Sequence, residues 1–182
     1  GDTGTIVWGG GVFEVTDTRK LFGKLVQHIG IVKKGVLQNH QPVKMKVDHD
    51  RRSAIRENHS VTHLMHEALR RVLGDHVSQK GSLQDAERTR FDVSHPKSVS
   101  ADEIAQVEEL VNAEIKAATA VETRVMGIDE ARETGAMALF GEKYDDEVRV
   151  VMMGTSEGDK QFSIELCGGT HVKNTSDIGA FK

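Results

Sequence analysis

Over its first fifty residues the chain alternates β-branched or apolar positions with polar ones in short runs, Thr5 to Trp8, Gly11 to Val15, Lys24 to Val32 and Val43 to Val47, each closed by glycine or another turn former. A period of two between turn signals predicts strands, here a small antiparallel barrel or curled sheet. Near Asp48 the period becomes helical. Ser53 is the expected N-cap of a helix over 53–74, whose apolar arc is Ile55, Val61, Thr62, Met65, Ala68, Leu69, Val72 and Leu73, and Gly74 is its expected terminator. A polar, glycine-containing loop over 75–82 and a short strand from Thr89 to Val93 follow. Ser100 and Glu103 form a capping box for a second long helix with Ile104, Val107, Leu110, Val111 and Ile115 on its apolar face. Beyond it the pattern predicts a strand at Val121 to Met126, a helix at Asp129 to Leu139, a turn at Gly141 to Asp146, and two strands, Val148 to Met153 and Gln161 to Leu166, joined by a polar loop. The expected fold class is α+β: an antiparallel sheet packed with two long helices, preceded by a small β-barrel-like subdomain. The expected division is 1–50 and 51–182.

Composition narrows the function classes. A chain of 182 residues buries one sizeable core, or one core and a small appended subdomain. A net charge of −4 and a pI near 6.1 give no global attraction to nucleic acid, so an RNA contact has to come from a local basic patch. Aromatic residues make up 4%, too few for a platform that stacks bases in series. No apolar run reaches the length of a membrane span, so no membrane partner is expected, and one cysteine cannot form an internal disulfide, which points to a reducing cytoplasm.

The chemistry-bearing residues fall in two distant stretches with the same spacing. On a helix, His59 and His63 stand at i and i+4, placing two imidazoles on one face a turn apart. More than a hundred residues later, Cys167-Gly-Gly-Thr-His171 brings a thiol and a third imidazole at the same interval. Three histidines and one cysteine suit one zinc ion better than magnesium or calcium, which take oxygen ligands. Ser60 occupies the position where an HExxH protease has its glutamate, which excludes that mechanism. His66 lies near the same flank as a substitute or supporting residue. Gln79 carries an amide able to orient a water or a carbonyl. Arg51, Arg52, Arg56, Arg70, Arg71, Lys80, Arg88 and Arg90 could hold a phosphate backbone. Gly9-Gly10-Gly11 has no following Gly-Lys-Ser/Thr and reads as a turn.

Taken in order, Arg51-Arg52 through Asn58-His59-Ser-Val-Thr62-His63-Leu, His76-Val-Ser-Gln79-Lys80-Gly81-Ser82, Arg90-Phe91-Asp92, Gly135 through Phe140-Gly141-Glu142-Lys143-Tyr144 and Cys167-Gly-Gly-Thr-His171 resemble the editing domain of bacterial alanyl-tRNA synthetases. Threonyl-tRNA synthetases carry a related domain and freestanding alanyl-tRNA deacylases share the motifs. Gly1-Asp2-Thr3-Gly4 looks like the tail of a glycine-rich motif, so a piece of the large synthetase is expected. The resemblance implies hydrolysis of the ester joining serine or glycine to the tRNA for alanine. It implies His59, His63, Cys167 and His171 as zinc ligands, and Thr62 and Gln79, with Cys167, as the catalytic set, the first two lining the amino-acid pocket. The acceptor end of the tRNA and the aminoacylation domain of the same polypeptide are the partners it implies. Arg51, Arg52 and Lys80 are inferred from charge as RNA contacts. Two other classes stay open: a zinc-stapled RNA-binding module without hydrolysis, and a zinc hydrolase of small esters or amides.

Overall fold

The computed structural model describes residues 1–22, 25–137, 146–158 and 160–182, with the backbone alone at Glu157. All but the last residue of the expected turn at Gly141 to Asp146, the start of the strand at Lys24 and the run Phe140 to Tyr144 lie outside them. The helix expected at Asp129 to Leu139 is a shorter one, Ile128–Glu133: Gly135 turns the chain at φ +79° and Met137 bridges to Glu165 instead. The chain divides into two compact units, Gly1–Ala54 and Ile55–Lys182.

In the first unit, strands β1 (Gly4–Trp8), β2 (Gly11–Leu21), β3 (Leu25–Lys34) and β4 (Lys44–Val47) form an antiparallel sheet in the order β3-β2-β1-β4. The hairpin between β1 and β2 turns on Gly9 and Gly10, the latter at φ +91°, a conformation that costs glycine nothing. Gly11 is required for a different reason: a Cβ there would lie 2.0 Å from the Trp8 ring, which covers the strand. β3 and β4 remain as edges. The curled sheet therefore forms and a closed barrel does not, because four strands are too few to meet around an axis.

The long helix α1 runs from His49 to Leu73, four residues longer at its start than the pattern predicts. Asp48, not Ser53, caps it: the Asp48 carboxylate accepts the Arg51 backbone N–H at 3.2 Å. Gly74 ends it at φ +114°. Its buried residues Val61, Leu64 and Ala68 meet Val107, Val111 and Ile115 of α2 (Ala101–Lys116) and Val151, Met153 and Phe162 of the sheet in one core cluster. Leu64 is fully buried although absent from the expected arc, while Ile104 is 48% exposed although included in its own. The Ser100–Glu103 capping box is present in both directions.

Strands β7 (Glu122–Gly127), β8 (Glu147–Glu157) and β9 (Lys160–Leu166) make the antiparallel sheet of the second unit, in the order β7-β8-β9. The face away from the long helices buries Met126, Val148, Val150, Met152 and Leu166 against Ala131 of the short helix α3 (Ile128–Glu133). A separate hairpin, β5 (Gln79–Gln84) and β6 (Thr89–Val93), occupies what the sequence suggests is partly loop. Its polar composition hid the first strand, since QKGSLQ has no apolar alternation. The hairpin is tied to α1 by Asn58 Nδ2 donating to Asp85 O at 2.9 Å and by the Thr62 and Thr89 hydroxyls at 2.7 Å.

Candidate metal centre

Helix α1 delivers His59 and His63 one turn apart, and β9 runs directly into Cys167 and the turn that returns His171. The four ligating atoms all lie within 4.8 Å of one another. Cys167 Sγ stands 3.3 Å from His59 Nε2 and 3.3 Å from His171 Nε2. A tetrahedral zinc site with ordinary bond lengths has ligand-to-ligand edges of roughly 3.3–3.6 Å, so the sulfur already sits at that spacing from two of the imidazoles. His63 Nε2 supplies the test of fit: it is buried and has no hydrogen-bond partner. A buried, orphaned imidazole nitrogen is costly unless something binds it.

Residues around the ligands hold them in place. His63 Nδ1 meets Glu165 Oε2 at 2.5 Å, and the other carboxylate oxygen meets His66 Nδ1 at 2.8 Å. Ser60 is completely buried; its Oγ accepts the Val172 backbone N–H at 3.1 Å and lies 3.2 Å from His171 Nδ1. Arg149 bridges the turn, donating through Nη1 to Cys167 O at 3.2 Å and to Gly169 O. Gly169 is needed for space: a Cβ would fall 2.0 Å from His59 Cε1, whereas one on Gly168 meets nothing.

Burial raises the Cys167 thiol, but hydrogen bonds from His171 and His59 and the nearby His63 imidazole outweigh it and bring the group down to about 3, so it stands as thiolate. Burial also opposes charge on His63 and Glu165. Their mutual attraction outweighs it, raising the imidazole and lowering the carboxyl. His171 is lowered, chiefly by burial. A thiolate with three imidazoles, one oriented by a carboxylate, is a donor set suited to zinc.

Of the residues singled out in the sequence, His59, His63, Cys167 and His171 come together, and His66 stands behind them on Glu165. Thr62 is buried; its hydroxyl lies 2.8 Å from Asn58 O, to which it donates, and faces Thr89. Gln79 opens β5 and donates to Ser82 Oγ at 3.1 Å. Lys80 is exposed on β5. Arg52 is committed to Asp2, pairing through Nε at 2.6 Å and through a second guanidinium nitrogen, and Arg51 is half-buried. The sequence reading does not single out Glu165 or Arg149, and it names Ser60 only as the residue in place of an HExxH glutamate. For Glu165 a signal existed: an acid between Ile164 and Leu166 in a strand is expensive unless partnered.

The description "Threonyl and Alanyl tRNA synthetase second additional domain" matches residues 148–182, the stretch holding Glu165, Cys167 and His171. Alanine–tRNA ligase of Bradyrhizobium diazoefficiens is 54% identical over 98% of this chain, that of Nitrobacter winogradskyi 55% over 98%, and that of Paracoccus denitrificans 55% over 100%. The chain is related to a segment of the alanine–tRNA ligases. It spans 21% of the length of each of these relatives. The family agrees with the expected resemblance to the alanyl-tRNA synthetase editing domain. Among the described residues no helix is long and apolar enough to cross a membrane.

Proposed function

We propose that the second unit hydrolyses the ester of tRNA for alanine wrongly charged with serine or glycine, as a cytoplasmic proofreading domain working beside the aminoacylation domain of a larger polypeptide. The observation that carries this reading is the four-donor cluster on α1 and the β9 turn, in a chain related to alanine–tRNA ligases.

Proofreading answers a physical limit. A pocket that admits alanine cannot exclude glycine sterically, and one hydroxyl or methylene gives only modest discrimination, so a second, hydrolytic site is needed. His59, His63, Cys167 and His171 would hold zinc, which supplies a Lewis acid for a carbonyl or a water. Glu165 keeps the His63 Nδ1 proton in place and leaves Nε2 for ligation. The Thr62 oxygen has a lone pair to accept a serine hydroxyl, and the Gln79 amide can donate to the ester carbonyl or orient water. Water adds to the acyl carbon, the bond to the ribose oxygen breaks, and the proton ends on that oxygen.

Because four protein donors would complete a tetrahedral zinc shell, a second reading is a zinc-stapled RNA-binding module without hydrolysis. A time course with seryl-, glycyl- and alanyl-tRNA for alanine separates the two. Release of serine and glycine with alanine spared, slowed in Gln79→Ala at unchanged zinc content, is the expected result. Equal loss of all three would replace proofreading with a general esterase, and no loss would leave the binding module.

A further inference from the structure

Charge is unequally divided between the units. Gly1–Ala54 holds nine lysines and arginines against five acids, a net +4, which leaves −8 on Ile55–Lys182 within the total of −4. Three of the nine basic residues share one face of the four-stranded sheet. Antiparallel partners point the same way, and the register makes Lys34, Val12, Val7 and Lys44 one cross-strand row, with Ile31, Glu14, Thr5 and Lys46 the next. Each row crosses three inter-strand gaps, roughly 14 Å. Glu14 on this face is paired with Lys33 at 2.6 Å, and Asp17 with Arg19 at 2.8 Å. Lys34, Lys44 and Lys46 are exposed, and among the described residues none of the three has an acidic partner.

Lysines on edge strands also discourage sheet-to-sheet pairing. Either sign of charge does that, however, and β3 and β4 carry four lysines and no acid. We propose that this face is a docking surface for the sugar-phosphate backbone of RNA, a proposal that rests on the reading that the chain acts on tRNA. Small and β-branched residues between the lysines (Thr5, Val7 and Val12) keep the face low enough for a backbone to lie across it. Contacts of this kind are independent of sequence, so they fix position and leave selection of the acyl group to the metal centre.

The test measures binding of the 182-residue chain to uncharged tRNA across a salt series, for the parent, for Lys34→Gln/Lys44→Gln/Lys46→Gln, and for the matching triple arginine variant. Every phosphate that is no longer neutralised flattens the slope of log K against log salt by roughly 0.7–0.9. The glutamine triple should therefore be shallower by about 2 to 3 and at least tenfold weaker at low salt, with zinc content and thermal unfolding unchanged. The arginine triple should bind like the parent, and Lys116→Gln/Lys173→Gln in the second unit should change little. An unchanged slope in the glutamine triple overturns the surface, as does a slope change that the arginine triple shares or a parent that does not bind tRNA. If the salt effect appears while mischarged tRNA is left intact, hydrolysis falls and the docking surface stands.

Discussion

Glu165 and His63, 102 residues apart in sequence, meet at 2.5 Å with both side chains buried, and the second oxygen of the same carboxylate holds His66. The carboxylate thus fixes which nitrogen of His63 faces the other three donors. Glu165→Gln keeps the shape but removes the charge and can no longer accept from both rings. Zinc affinity should fall about 10- to 100-fold, read by competition with a chromophoric chelator. An affinity equal to the parent would reduce Glu165 to a packing residue.

Removing the ion should cost stability as well as activity. A ligand that binds only the folded state at a hundred times its Kd adds about 2.7 kcal/mol, so chelation should lower the thermal midpoint by several degrees. Cys167→Ala and His63→Ala should carry less than a tenth of the parent's zinc and show no further drop on chelation. Retention of one equivalent by both variants would refute the ligand set.

The two glycines of the turn are predicted to differ. Gly169→Ala drives a methyl into the His59 ring, so it should lose most of its zinc; Gly168→Ala meets open space and should keep it. Elemental analysis of the two proteins decides the point. The sequence suggests that these glycines serve tight folding of the backbone. Neither sits at positive φ, and the demand at Gly169 is room for an imidazole.

A pH dependence follows from the cap of α2. The Ser100 backbone N–H, then Lys97 and the Ser100 hydroxyl, bring the Glu103 carboxyl from 4.5 down to about 2. A depressed folded-state value stabilises above the unfolded value and is lost as pH falls from about 4.5 towards 2. Glu103→Gln should therefore unfold at lower temperature than the parent at pH 6, and the gap should close by pH 2 to 3. A gap independent of pH would assign the effect to cap geometry alone.

The sequence carried most of the framework because two signals were strong. The capping box and the helical arc placed the two long helices, and glycine-bounded alternation placed the strands other than β5. Asp48 was missed as a cap because Ser53 stands beside a clearer periodic run, while the helix begins among charged residues whose hydrogen bonds, not apolar spacing, define its first turn. The four residues of the candidate cluster were legible from repeated spacing. Their supports were not, since Ser60, Arg149 and Glu165 act through contacts spanning 18 to 112 residues, which no local pattern encodes.

The separation of the ligand pairs also sets an order in time. His59 and Cys167 are 108 residues apart, and at roughly 5–20 residues per second the ribosome takes about 5–20 s to make the interval. Until β7, β8 and β9 have been made, α1 presents a half-site and an apolar stripe with no sheet to cover them. The four-donor cluster thus cannot be completed until His171 has been made, and a product cut short before that residue lacks part of it. A truncated product would leave that stripe open to quality control.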